Sequence, residues 1–184
     1  MFEKTDIKMR IDRAFLELYS KKRVNEIRIR EITEMAQCHR RSYYNYYEDI
    51  YDQKKKLSKE FLDQYKEIVS QSDGLYTEET FFFIRENRPF IRAFLGQYRD
   101  YEFLQEIVET HIRAYKGDIL EKKMAGGDPS LDIYPCLYNV FGGLMCITFW
   151  SGVDNPLNSV TLNEFVSTIQ KIQNRTMQED IRKK

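Results

Sequence analysis

A chain of 184 residues is long enough for one medium domain, or for a small domain joined to a larger one, and 42% apolar with 14% aromatic residues gives it the means to bury a core. That composition excludes a disordered chain. Eight glycines and four prolines, set against Lys, Glu, Leu, Ile and aromatic residues recurring three and four apart, make the predicted class all-α.

The formal net charge is zero, but residues 1–60 carry fifteen Lys and Arg against eleven Asp and Glu, and residues 61–184 carry fourteen against eighteen. The basic end is the candidate end for nucleic acid, because phosphate binding draws on Lys and Arg. Random unevenness of charge along the chain would give the same difference.

The first predicted helix covers about four turns from Ile7, with Ile11, Ala14, Phe15 and Leu18 on its apolar face and Lys8, Arg10, Asp12, Glu17 and Lys21 on the other, ending near Lys22. A short second helix is expected over 29–36, with Ile29, Ile32 and Ala36 inward, then the tight turn Gln37-Cys38-His39, then a third helix over 40–46. Two short helices joined by a three-residue turn form the helix-turn-helix arrangement, whose second member enters the major groove. A fourth helix starts near Asp49 and runs through Leu57, Phe61, Tyr65 and Ile68.

Arg40 and Arg41 open the third helix, where a recognition helix presents side chains to base edges, and arginine pairs in a bidentate way with guanine O6 and N7. A phosphate or solvent contact is the alternative for either arginine. Ser42 is small enough to permit close approach, and Asn45 completes the polar set; His39 sits where it could cap the helix. Tyr43 and Tyr47, four apart, read as an inward pair packing on Ile32 and Phe15. Tyr44 and Tyr46 point elsewhere, with hydroxyls free to donate to phosphate oxygens, which fixes register without reading sequence.

Further helices are expected over 77–87, 90–96, 101–124, 131–151 and 161–178, broken at Pro89, at 126–129 and at 154–156. Thr161 with Glu164 forms a capping box for the last of them. Between the two ends lie many aromatic rings. Phe83, Phe94, Tyr98, Phe103 and Tyr115, with the polar His111, either line a pocket for a small apolar or aromatic effector or form ordinary core. The last two helices are apolar on more than one face, and Tyr138, Phe141, Gly142, Met145, Phe165, Ile169 and Ile172 are the candidate dimer contacts. Gly142 and Gly143 permit close backbone approach there, or line a pocket.

Cys38, Cys136 and Cys146 are odd in number, without C-x-x-C spacing or a histidine at metal-ligand distance, so a reduced, cytoplasmic setting and no metal are expected. The start MFEKTDIKMR has no apolar signal core, and the longest apolar run, 137–150, is interrupted by Asn139 and two glycines, so no membrane partner is expected. No Gly-rich phosphate loop, H-E-x-x-H or nucleophile elbow occurs, and the two histidines are far apart, so neither an enzyme nor a cofactor is expected.

The stretch I-x-x-A-F-x-x-L from Ile11 to Leu18, followed by I-R-I-R-E-I-T-E-M-A-Q-C-H-R-R-S-Y-Y-N-Y-Y-E-D from Ile27 to Asp49, resembles the DNA-binding domain of the tetracycline-repressor (TetR) family. The resemblance covers about a quarter of the chain. It implies a helix-turn-helix domain over 1–48 and a helical regulatory and dimerisation domain over 49–184, in a fold of roughly nine helices. It further implies a homodimeric regulator, a repressor, that reads a palindromic operator in double-stranded DNA through two recognition helices about 34 Å apart. An effector would act on their separation through the fourth helix, and the last two helices would pair across the two-fold axis.

The same resemblance favours phosphate contacts for Tyr44 and Tyr46, and puts Arg28 where the family often has a phosphate-contacting threonine. The chain departs from the family pattern around the turn, with Thr33, Cys38 and His39 in place of Ala, Gly and Ser. It departs again at Ile50, where the family has a phosphate-contacting lysine; Lys54, Lys55 and Lys56 offer charge further along. The alternative reading is a coactivator or interaction module that kept this fold and lost operator binding.

Overall fold

A computed structural model of the chain describes residues 7–71 and 77–124, with side chains through Arg113, and the separate positions 142, 143, 145, 146, 161, 164, 167, 168 and 171. Among the described residues the ordered elements are all helical, as expected: α1 (Ile7–Tyr19), α2 (Ile29–Met35), α3 (Arg40–Tyr44), α4 (Ile50–Gln71), α5 (Glu78–Glu86), α6 (Arg88–Leu95) and α7 (Tyr101–Met124), with one 3₁₀ turn at Val24–Glu26. None of these helices is long and apolar enough to cross a membrane. The expected helices over 131–151 and 161–178 lie outside the continuously described residues. The capping box at the start of the second is present: Thr161 N–H donates to Glu164 Oε2 at 2.8 Å and Glu164 N–H to Thr161 Oγ1 at 3.3 Å.

The chain forms two compact units, one of residues 1–64 with 88–104, the other of residues 65–87 with 105–184. In the first, α1 buries Ile11, Ala14, Phe15 and Tyr19, the i, i+3, i+4, i+8 stripe of an amphipathic helix. The first part of α4 contributes Leu57, Phe61 and Leu62, and α6 contributes Phe90, Ile91, Phe94 and Leu95. Their rings form a column: Phe61 stacks on Phe90 at 4.3 Å, Phe90 on Phe94 at 4.1 Å, and Phe94 meets Tyr19 edge-on at 5.2 Å. Phe103 closes against Phe61, Phe90 and Phe94 at 5.1–5.5 Å. Such ring pairs stabilise beyond the area they bury, by about 0.5–1.5 kcal/mol each.

Pro89 does not break a helix. The break falls between α5 and α6, and Pro89 lies in the first turn of α6, where its missing N–H has no intrahelical acceptor to lose. In the second unit, Thr77 caps α5 by accepting from Thr80 N–H at 3.4 Å. Val69, Phe81, Ile84 and Ile107 are buried there.

Candidate nucleic-acid interface

The turn between α2 and α3 is closed by the chain's own backbone. Cys38 N–H donates to Thr33 O at 3.0 Å and Gln37 N–H to Glu34 O at 3.2 Å, the paired bonds of a Schellman ending, which requires a left-handed residue between them. Gln37 takes that conformation with φ +50°, in a place that favours glycine. From α1, Arg10 Nη1 donates to Gln37 O at 3.4 Å, so a residue that the sequence assigned only to a polar helix face braces the turn.

Helix α3 then begins at Arg40, with His39 as its N-cap residue. His39 fills that place by backbone only: Ser42 N–H donates to His39 O at 2.8 Å, and the imidazole makes no capping bond, contrary to the expected side-chain cap. The inward face is Tyr43 and Tyr47, as expected, at 0% and 2% exposure. Tyr47 Oη donates to Asp12 Oδ1 at 2.6 Å. Asp12 also receives Lys8 Nζ at 3.1 Å and Gln53 Nε2 at 3.2 Å, so a single α1 carboxylate joins the chain just after α3 to α4. Burial, reinforced by that carboxylate, pushes the Tyr47 hydroxyl well above its ordinary range, and burial does the same for Tyr43.

What remains outward is the set named from the sequence: Arg28, His39, Arg40, Arg41, Tyr44 and Asn45 are exposed, and Ser42 and Tyr46 are half-buried. Arg28 is the N-cap residue of α2, where its backbone N–H donates to Glu31 Oε2 at 2.9 Å. The guanidinium of Arg40 folds back along α3 and donates from Nε and Nη2 to Tyr44 Oη at 3.2 and 2.8 Å. Arg41 makes no hydrogen bond or ion pair among the described residues, which leaves its guanidinium open to solvent.

Lys54 stands apart from this set. Its ammonium lies 2.7 Å from Asp100 Oδ2, a carboxylate whose side chain is 5% exposed. Asp100 also accepts from Tyr19 Oη at 3.2 Å and, through Oδ1, from Phe103 N–H at 3.1 Å. One buried acid therefore caps α7 and holds both α1 and α4, and Lys54 is a tie of the unit's interior and not an outward cation. Lys55, its neighbour, is exposed. Lys56 is held by Asp52 at 2.8 Å and by Tyr46 O at 3.1 Å. Glu48 and Asp49, both exposed, precede the half-buried Ile50, and Tyr51, 57% exposed, follows it. No sequence signal singles out Tyr51, whose exposure is set by its place on the outer face of α4.

The aromatic residues expected at a pocket are divided between the two units. Phe94 and Phe103, 0% and 1% exposed, belong to the packed ring column of the first unit, where each ring is covered by others. Tyr98 is half-buried in the same unit. Phe83 and His111 belong to the second unit, where Tyr65 packs near both rings, at 6.1 and 5.5 Å. His111 Nδ1–H donates to Ile107 O at 2.8 Å, and Nε2 lies 2.9 Å from Tyr65 Oη, whose hydroxyl can donate to it when the ring is neutral. Desolvation lowers its pKa. The side chains of Tyr115, Tyr138, Phe141, Phe165, Ile169 and Ile172 lie outside the described residues. Gly142 and Met145 are described as exposed helical positions, and Gly142 has nothing within 4 Å of where a Cβ would stand.

No family model matches the sequence, and no curated protein matches it. Among solved structures, the chain is similar to one described as the dihydroxyacetone kinase operon activator DhaS, at 17% sequence identity and a TM-score of 0.56, over 94% of this chain and 96% of that one. The chain thus shares an all-α fold with that protein, and carries a short helix, α3, with an exposed face in its basic N-terminal part.

Proposed function

We propose that this chain is a DNA-binding transcription regulator of the TetR type, acting as a homodimer on a palindromic operator. The observation that carries the reading is the arrangement of α3. Its inward Tyr43 is buried, and Tyr47 just beyond it is buried and bonded through Asp12 to α1 and α4, while Arg40, Arg41, Tyr44 and Asn45 face solvent along the one short helix that a helix-turn-helix inserts into the major groove. In this reading Arg41 pairs with a guanine edge, which contributes ~1–3 kcal/mol of discrimination against other bases. Arg28, His39, Ser42 and Tyr46 make backbone or groove-edge contacts beside it. Repression follows from occlusion when the operator overlaps a promoter. The similar solved structure bears the name of an activator, so the placement of the operator decides the outcome.

Dimerisation through the last two helices, and release by a small apolar or aromatic effector, belong to the same proposal. So do a cytoplasmic setting and the absence of catalysis. Selection of bound duplexes from a random pool, followed by sequencing, tests it. The expected product is an inverted repeat whose half-sites lie about one turn, ~34 Å, apart. A pool with no enrichment, or enrichment of a single unrepeated site, contradicts it.

A second reading has a specific observation in its favour. Where a phosphate-contacting lysine would stand there is Ile50, preceded by exposed Glu48 and Asp49, and Lys54 is tied to Asp100. An interaction module that acts through protein contacts fits that acidic flank, and it would fail the same selection.

A further inference from the structure

The two arginines that open α3 are in different chemical states. Arg41 has no hydrogen-bond partner among the described residues. Arg40 is folded along its own helix onto the residue one turn ahead, with two N–H donors on the Tyr44 oxygen and its guanidinium carbon 5.5 Å from the centre of the Tyr44 ring. A phenol oxygen that already accepts two hydrogen bonds has one group left to offer, its own proton, and that proton must point away from the guanidinium. The adjacent positive charge polarises the O–H and makes it a stronger donor.

We infer that Arg40 and Tyr44 form one composite phosphate clamp, and that Arg41 is the arginine of this helix that reads a base. This rests on the DNA-reading proposal above and assigns the roles within it. The Tyr44 O–H points away from the guanidinium and the remaining Arg40 N–H groups lie on its other edges, so the pair reaches acceptor oxygens of the DNA backbone on both sides of their shared bond and carries one net positive charge to it. Tyr44 acts on Arg40 as a positioning residue, because it sets the guanidinium against the flank of α3 and away from the helix's leading edge. For Arg40 to read a guanine it would have to leave both bonds and the ring face. Arg41 gives up nothing to do so. Base specificity therefore sits at position 41 and register at positions 40 and 44.

The test uses the full-length protein with two duplexes, one selected by the protein from a random pool and a scrambled duplex of the same composition, over a salt series. Four variants are compared: Arg40→Ala, Tyr44→Phe, the double variant, and Arg40→Lys. Both side chains are exposed, and thermal melting checks that each variant folds. Arg40→Ala should weaken both duplexes alike, by about tenfold, one decade of affinity or 1.4 kcal/mol, and should flatten the slope of log affinity against log salt by ~0.9 per clamp. Tyr44→Phe should also weaken both duplexes alike, and it should add little once Arg40 is alanine. Arg40→Lys should keep the salt slope while losing the dependence on Tyr44, since an ammonium has no fork to lay against the phenol.

Two outcomes overturn the clamp while leaving DNA reading intact. One is additive losses in the double variant. The other is an Arg40→Ala loss confined to the selected duplex with one base position relaxed. Wild-type protein that binds neither duplex overturns the DNA-reading proposal itself, and the clamp with it.

Discussion

The Tyr47 hydroxyl donates to Asp12 Oδ1 at 2.6 Å, while Tyr43, four residues earlier and equally buried, has a hydroxyl with no partner among the described residues. The two rings pack at 5.7 Å on the same inward face, yet their oxygens have opposite value to the fold. Tyr47→Phe should cost about 1.5–3 kcal/mol, the usual worth of a hydrogen bond to a charged group. It also loosens the tie between the recognition segment and α1. Tyr43→Phe should leave stability unchanged or raise it, because it removes a buried polar atom that no bond compensates. Urea denaturation of both variants checks this. Equal losses in the two would contradict the assignment.

Gln37 carries the one positive φ of a non-glycine residue among the described positions, at the left-handed place of the helix ending. Replacing it with glycine should stabilise the protein by about 1 kcal/mol, since an L side chain in that conformation costs roughly 1–2 kcal/mol and glycine's greater unfolded-state freedom returns part of the gain. Arg10 bonds the Gln37 carbonyl, which the substitution keeps. A lower melting temperature for Gln37→Gly would show that the side chain does something the backbone does not.

Asp100 holds Lys54, Tyr19 and the N-terminus of α7 at once. Asp100→Ala should destabilise by about 3 kcal/mol, near the low end for breaking a buried ion pair, because Lys54 is partly exposed and lies 4.0 Å from Glu102. Asp100→Asn keeps an acceptor for the cap and should cost less. Chemical denaturation ranks the two, and a ranking in the other order would remove the ion pair from the account.

Burial depresses the pKa of His111 in the folded protein. The unfolded chain binds a proton near pH 6.5 that the folded chain refuses, so the stability from this group is present above about pH 6.5 and is lost as pH falls from there toward the folded value. The slope from this one group is at most about 1.4 kcal/mol per pH unit within that window. Melting curves of wild type and His111→Gln between pH 5 and 7 on the ~6.5 reference scale should diverge, with the variant less sensitive to acid. Parallel curves would place the acid sensitivity elsewhere.

Much of the fold was legible because its signals are local. The stripe Ile11, Ala14, Phe15 predicts the buried face of α1, and the four-residue spacing of Tyr43 and Tyr47 predicts their burial; both are observed. The short helices on either side of residues 37–39 follow from the same periodicity. What escaped the sequence depends on contacts between distant residues. Lys54 reads as an outward cation until Asp100, 46 positions on, is seen against it. Phe94 and Phe103 have the composition of a pocket wall, and only the positions of Phe61 and Phe90 turn them into core. Arg10's reach to the turn has no periodic signature at all.

The central claim is that α3 lies in a major groove with Arg41 at a guanine edge. Methylation interference tests it most directly, because the guanine N7 that dimethyl sulfate modifies lies in that groove and is one of the two atoms an arginine fork would bind. On a duplex selected by the protein, N7 methylation of one symmetry-related guanine in each half-site should abolish binding by wild type, and Arg41→Ala should be indifferent to it. Binding that tolerates N7 methylation at every guanine, or that Arg41→Ala leaves with the same interference pattern, would contradict the account.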